Sequence, residues 1–310
     1  MKTLLITGHR GLLGSACVRH FAGRRKVLLF EGDCKNENEV ARFFFRHKPQ
    51  EVIHCAAKVG GVAANKSQPV SFLQDNLRMQ VNVISAAAEF NTEKLIFVGT
   101  SCMFPRDAEL PVREDSLLTG RLDDSIEAYA IAKIAGWRLC KAYWEEHGKK
   151  FMTINPSNIY GDRDNYGPSA HVIPALIAKF HQAMTKGEVP VVWGDGSAVR
   201  EFIHSSDVAS AIEVVLERWN TPDVISVGTG VGHTIKELAD LLQQVSGMKS
   251  PVQWDASKPT GIPRKTFDVT LMRSLGWSPQ VGLEEGLRKT WLDFTQDPAP
   301  RGLTPGSPRR

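Results

Sequence analysis

The chain has 310 residues, 42% hydrophobic and 23% charged, so it can bury a substantial core and fits one or two globular domains. Its formal net charge is only +4, part of it from Arg301, Arg309 and Arg310, which leaves no case for nucleic acid and gives mild help toward anionic small molecules. Residues 2–7 lead straight into a strand with no signal-like apolar region, no apolar run approaches about eighteen residues, and Cys17, Cys34, Cys55, Cys102 and Cys140 are odd in number, with neither CxxC nor metal-ligand spacing; the expectation is a cytoplasmic protein with no membrane contact and no metal.

Residues 2–7 form an aliphatic, β-branched run that ends at Gly8-His9-Arg10-Gly11-Leu12-Leu13-Gly14, and residues 15–23 follow with helical patterning. Strand, glycine turn and helix in that order let the backbone approach a pyrophosphate, whose charge sits where the first N–H groups of the helix point. Residues 26–30 read as a second strand. Glu31 then falls where an acidic residue binds an adenine-ribose diol, favouring NAD, whereas the Arg10 guanidinium can accept a 2′-phosphate, favouring NADP; the two side chains can also simply pair at the surface. Residues 37–47 read as a helix and 51–55 as a buried third strand. The small residues of Ala56-Ala57-Lys58-Val59-Gly60-Gly61-Val62 leave room for a cofactor. Residues 94–99 are the fourth strand and deliver Thr100, Ser101 and Cys102 to its carboxyl end, where open parallel sheets bind their ligands.

In Glu127-Ala128-Tyr129-Ala130-Ile131-Ala132-Lys133, a helix places Tyr129 and Lys133 on one face, a turn apart. Lys133 is expected to lower the Tyr129 pKa and to hold a cofactor hydroxyl, leaving the phenol able to trade a proton with a substrate oxygen, to which Thr100 gives a second hydrogen bond. The same spacing also arises by accident on a surface helix. Residues 151–155 deliver Pro156-Ser157-Asn158-Ile159-Tyr160-Gly161 to the same rim, and the alternation of strand and helix gives a doubly wound parallel α/β sheet. After Gly161 the alternation loosens. A helix over 171–184 and a strand over 189–193 open a second, smaller α/β region, completed by 234–245, 251–254, 269–275 and 283–294. The segments 200–204, 207–219 and 224–227 are expected to return to the first. The expected domains are therefore residues 1–165 with 200–229, and residues 166–199 with 230–296, followed by a disordered tail over 297–310.

Together these segments resemble the extended short-chain dehydrogenase/reductase superfamily and, more closely, the GDP-L-fucose synthases, from about Leu4 to Phe294. The most specific pieces are Gly8-His9-Arg10-Gly11, Ala57-Lys58-Val59-Gly60-Gly61-Val62, Ser101-Cys102, Tyr129-Ala130-Ile131-Ala132-Lys133-Ile134-Ala135-Gly136, His171-Val172-Ile173-Pro174-Ala175-Leu176, Arg200-Glu201-Phe202 and Pro263-Arg264-Lys265. The resemblance implies a Rossmann domain binding NADP and a smaller domain binding a GDP-sugar, with GDP-4-keto-6-deoxy-D-mannose epimerised at C3 and C5 and reduced at C4 by NADPH. It makes Thr100, Tyr129 and Lys133 the reductase triad, and Cys102 and His171 the base and acid of epimerisation. It assigns the cofactor to the turn from Gly8 to Gly14, Asp33, Ala56, Ala57, Lys58, Gly99, Lys133, Pro156, Asn158, Ile159 and His171, and the substrate to Lys179, Trp193, Arg200 and Lys265. It also implies a homodimer through the helices carrying Val81, Ile84, Ala88, Ala132, Ile134 and Trp137, although these positions equally suit a face turned to the sheet.

This sequence departs from that pattern at three places. Thr100 stands where the closest pattern has Ser, Lys179 where Arg is common, and the loop after the second strand is short and lacks a 2′-phosphate arginine, leaving Arg10 with Lys35 as a helper. NADPH is the expected cofactor and NAD the alternative. Taken residue by residue, Cys102 also fits an ordinary buried thiol, His171 a locally satisfied helix terminus and Trp193 a core aromatic. The alternative reaction is that of another GDP-4-keto-sugar, of colitose or heptose type, handled by the same residues; a silent nucleotide-binding relative is the alternative outside enzymes.

Overall fold

Short runs that are apolar on both faces become the strands of a parallel sheet, because such strands are covered on both sides. The computed structural model describes residues 1–257 and 262–303. In chain order the first half contains β1 (Thr3–Thr7), α1 (Leu12–Phe21), β2 (Lys26–Leu29), α2 (Glu37–His47), β3 (Glu51–His54), α3 (Val62–Ser67), α4 (Pro69–Glu89), β4 (Lys94–Val98), α5 (Glu127–His147) and β5 (Lys150–Pro156). The second half contains β6 (Asn158–Tyr160), α6 (Val172–Lys186), β7 (Val191–Trp193), β8 (Val199–His204), α7 (Ser205–Arg218), β9 (Val224–Val227), β10 (Gly232–Thr234), α8 (Ile235–Ser246), β11 (Gln253–Asp255), β12 (Arg264–Lys265), α9 (Thr270–Ser274) and α10 (Leu283–Gln296).

The main sheet runs β2-β1-β3-β4-β5-β9 with every pair parallel. Alternate residues serve opposite faces, as a period of two requires. Leu4 and Ile6 join α1 and α7 in one core, while Leu5, Val52 and Leu95 join α2, α4 and α5 in the other. The chain reverses direction across the sheet between β1 and β3, and a crevice opens there at the carboxyl ends of the strands. The doubly wound parallel α/β fold expected from the sequence is the fold observed.

A third core gathers α6, α8 and α10 around Tyr160, Val192 and Phe202. β8 lies in a second sheet, antiparallel to β10 and parallel to β6 and β12. Of the segments expected to return to the first domain, α7 packs on α1 and β9 completes the main sheet, but β8 does not enter that sheet. It straddles the two units: Phe202 enters the third core and Ile203 the first. The fully buried Glu201, just before them, accepts the N–H groups of Thr229, Gly230 and Phe267 at 2.8, 3.1 and 2.8 Å.

Of the expected tail, residues 297–303 are described, and Arg301 O accepts the Tyr166 N–H at 2.8 Å; residues 304–310 lie outside the described residues. No helix among the described residues is long and apolar enough to cross a membrane.

Candidate active site

Gly8 follows β1 with φ at +69°, and a Cβ there would stand 2.7 Å from the Ala56 N of the loop after β3. A Cβ on Gly14 would come within 2.6 Å of Gly8 C, so α1 starts against the turn itself. Gly11 is the N-cap of α1 and no side chain caps the helix, which leaves its first N–H groups for an anion. The floor of the crevice is tied by Thr7, whose Oγ1 meets His54 Nδ1 at 2.8 Å and accepts the Ala56 N–H at 3.3 Å. A backbone cradle, bare glycines and a free helix terminus fit a dinucleotide diphosphate. When bound, the cofactor would lie along Gly8 to Gly14 toward Ala56, Ala57 and Gly99.

At the adenine end, Glu31 is bracketed by Arg10 and by His9 Nε2, the latter at 3.2 Å. Arg10 and Glu31 are both exposed and form a direct ion pair, so the surface-pairing reading of these two residues is the observed one. Asp33 is also exposed. Its carboxylate closes a local turn on the Lys35 N–H at 2.9 Å, and Lys35 Nζ lies 3.7 Å from the same residue. Lys58 turns its amine onto Ser71 Oγ at 2.6 Å and Gln68 Oε1 at 3.0 Å, while Asn76 accepts its N–H at 2.9 Å and donates to its carbonyl at 3.0 Å.

Thr100 emerges at the end of β4 and its hydroxyl accepts the Cys102 N–H at 3.3 Å. The Tyr129 phenol, from the first turn of α5, lies beside the Thr100 hydroxyl and Cys102. Burial pushes this phenol well above its ordinary pKa, the neighbouring Cys102 adds to the rise, and only the Thr100 hydroxyl pulls it back. Lys133 Nζ instead donates to Val98 O at 2.7 Å and rests 4.8 Å from the Phe97 ring centroid. Burial pushes its ammonium down to about 8. The expected depression of the Tyr129 pKa by Lys133 is therefore absent in this arrangement: the cation is spent on a backbone carbonyl and an aromatic face, and the phenol stays protonated.

His171 is the N-cap of α6 and is exposed, and the protein around its ring desolvates it enough to lower its pKa. Gly99 N–H donates to Ile154 O at 2.8 Å, holding the ends of β4 and β5 together, and Pro156 closes β5. Asn158 Nδ2 donates to Glu201 O at 2.8 Å, and Ile159 packs on the first core, so both act here as structure.

On the other wall, β12 pairs with β8 so that Lys265 stands opposite Arg200. Burial lowers the pKa of both, while Asp123 counters it at both and Cys102 also counters it at Lys265. Asp123, just ahead of α5, was not legible in the sequence. Burial opposes its ionisation, but Ser125 donates to it from Oγ at 2.7 Å and from N at 2.9 Å, and with the Arg106 and Lys265 charges holds the carboxyl below its usual range. Trp193 is not core: it is 59% exposed at the end of β7, with Lys179 Nζ 5.0 Å from its ring centroid and donating to Val191 O at 3.0 Å.

The sequence pattern of the NAD dependent epimerase/dehydratase family matches residues 4–228. Among curated relatives, the chain is 43% identical to GDP-L-fucose synthase 1 of Arabidopsis thaliana over 93% of this chain and 91% of that protein. It is 42% identical to GDP-L-fucose synthase of Escherichia coli over 96% of this chain and 97% of that one. Among solved structures, a GDP-L-fucose synthetase from Naegleria fowleri bound to NADP superposes with a TM-score of 0.87 at 26% identity, covering 95% and 94% of the two chains. A glycine cradle at the crevice, a Tyr-Lys helix beside a threonine, and these likenesses lead to one conclusion: the chain belongs to the NAD dependent epimerase/dehydratase family, in its GDP-L-fucose synthase branch.

Proposed function

We propose that this enzyme converts GDP-4-keto-6-deoxy-D-mannose to GDP-L-fucose by epimerisation at C3 and C5 and NADPH-dependent reduction at C4. The observation that carries the reading is the cluster of Thr100, Cys102 and Tyr129 at the carboxyl end of β4, faced by Arg200 and Lys265 across the same cleft. NADPH, when bound, supplies the hydride that reduces C4. The protonated Tyr129 phenol donates to the C4 oxygen as charge develops there, and Thr100 adds a second hydrogen bond. Lys133, with one of its N–H donors on Val98 O, offers the others to a hydroxyl of the bound cofactor. Protons on C3 and C5 are acidified by the C4 ketone, because the resulting enolate places its charge on the oxygen that Tyr129 and Thr100 already hold. Cys102 as the thiolate removes such a proton and His171 as the imidazolium returns one to the opposite face, after which a proton passes from the thiol to the imidazole through solvent and resets the pair for the second centre. Arg200 and Lys265 offer a guanidinium fork and an ammonium to the substrate diphosphate. Trp193 offers an exposed ring.

Incubation with GDP-4-keto-6-deoxy-D-mannose and NADPH, with NMR of the product, tests this reading. GDP-L-fucose is expected; a C4-reduced sugar with unchanged C3 and C5 would overturn the epimerase half, and turnover only of a colitose- or heptose-type keto-sugar would replace the substrate. We place the enzyme in the cytoplasm, in keeping with five free cysteines. We further assign a homodimer through α4 and α5, whose outer faces carry the exposed Val81 and Ile131, whereas Ile84 and Ala132 are buried inward. A monomer mass by light scattering at micromolar concentration would refute the dimer.

A further inference from the structure

We propose that Arg301 is a ligand of the cofactor's diphosphate, carried across the mouth of the crevice by a strap of residues 300–303. The inference rests on the NADPH-dependent reading above. The strap is seated, not draped. Tyr166 N–H donates to Arg301 O at 2.8 Å, and Leu303 N–H closes a turn on Pro300 O at 3.1 Å. Gly302, with φ at +90°, lies so close to the neighbouring loop that a Cβ on it would stand 2.7 Å from Gly167 N. That loop is itself tied to the cofactor crevice, because the Gly61 N–H, in the segment after β3, donates to Ser169 O at 3.0 Å. The strap thus rests on a loop that touches one side of the crevice, while its arginine reaches the other.

The reach is measured at Gly11. Among the described residues, a Cβ here would meet Gly8 O and, at 3.8 Å, Arg301 Nη1. Gly11 is the uncapped N-cap of α1, so the direction in which its side chain is missing is the direction of anion approach. A guanidinium and a helix terminus aimed at one volume form a two-sided anion clamp. The carboxylate facing Arg301 is Asp164, which burial raises to about 7 against the opposing pull of the Asn165 N–H bond and, after it, of the Arg301 charge. Its Oδ2 has no hydrogen-bond partner among the described residues, so the guanidinium is not locked into a closed fork there and can turn to a diphosphate.

The test is a fluorescence titration of NADPH against the full chain, with adenosine 2′-monophosphate as a displacing ligand that lacks the diphosphate. Arg301→Ala is expected to raise the NADPH Kd about tenfold and to flatten its salt dependence. Arg301→Lys should recover part of the loss, and Gly302→Val, which lifts the strap, should reproduce it. The adenosine 2′-monophosphate affinity should stay within about twofold throughout, since this ligand has its one phosphate at the adenosine end and no diphosphate for Arg301 to hold. An NADPH Kd within about twofold of wild type for Arg301→Ala would overturn the assignment and leave the reductase reading intact. Equal losses for both ligands would also overturn it, placing the effect at the adenosine end. If Gly302→Val fails to fold, the Ala and Lys variants at Arg301 decide alone. Wild-type protein that binds no NADPH would overturn the cofactor reading together with this one.

Discussion

The two walls of the cleft are built in different ways, although in the reading proposed above each would meet a nucleoside diphosphate. On the cofactor wall the main chain does the work: Gly8, Gly11 and Gly14 fix a cradle by the absence of side chains, within a tenth of the sequence. On the substrate wall, cations gather from segments far apart in the chain, Arg200 from β8, Lys265 from β12 and Lys179 from α6, with Asp123 facing the first two. Main-chain geometry either exists or does not. Side-chain charges can be removed one at a time, so the substrate wall should fail by degrees.

That contrast can be broken at the cofactor wall first. Gly14→Ala drives a Cβ to within 2.6 Å of Gly8 C, and saturable NADPH binding should disappear while affinity for GDP, read by calorimetry, changes less than about threefold. Loss of both ligands together would mean that the walls are not independent. Tyr129→Phe should lower kcat for reduction by about a hundred- to ten-thousand-fold with an NADPH Kd close to wild type, because only the proton donor is lost. Near-normal turnover would remove Tyr129 from the chemistry.

The cradle also has an acid limit. His54, buried beneath it, has its pKa lowered to about 3 by burial and by the Lys133 charge. The folded value lies below the unfolded one, so the stabilisation is complete above about pH 6.5 and is lost as pH falls toward 3, on the order of 4 kcal/mol over that window. Urea titrations between pH 8 and 5 should show this slope. His54→Leu, though less stable at pH 8, should flatten it, and an unchanged slope would clear His54 of responsibility.

On the substrate wall, Arg200→Ala is expected to raise the KM for the GDP-sugar about ten- to a hundredfold with little effect on NADPH affinity, the loss of one charge-assisted contact. A change confined to kcat would argue that Arg200 serves the chemistry and not the grip. The smallest effects should come at the adenine end, where the wall is built from exposed side chains after all. Arg10 and Glu31 already satisfy each other, so Arg10→Ala should move the NADPH-to-NADH ratio of kcat/KM toward NADH, and Glu31→Ala toward NADPH, each by about tenfold or less. A ratio indifferent to Arg10→Ala would show that this guanidinium does not read the 2′-phosphate.

The cofactor wall was the more legible in sequence for the same reason that it is the more rigid. Glycines that define a turn lie together, and continuous apolar runs such as Leu4 to Ile6 declare a covered parallel strand. The helix that pairs Tyr129 with Lys133 was readable from spacing, but the direction of the Lys133 amine was not, because Val98 O and the Phe97 ring are brought to it by a different strand. Sheet membership of β8 was equally hidden, since an apolar strand pattern states that a strand is covered without naming its partners. Asp123 carried no local signal at all. Its place opposite Arg200 and Lys265 comes from packing three distant segments together.

Adjacent residues of β8 are rooted on different sides of the molecule, Phe202 in the core of the smaller region and Ile203 in the core beneath the main sheet. Glu201, just before them, gathers backbone from two further segments. Separating the halves by a few ångströms would pull one of these side chains out of its packing, so a wide hinge-like opening is mechanically disfavoured. The rivet also couples the halves in denaturation. Loss of either core removes an anchor of the other, and the chain should melt in one transition, with no protease-resistant half outliving the whole.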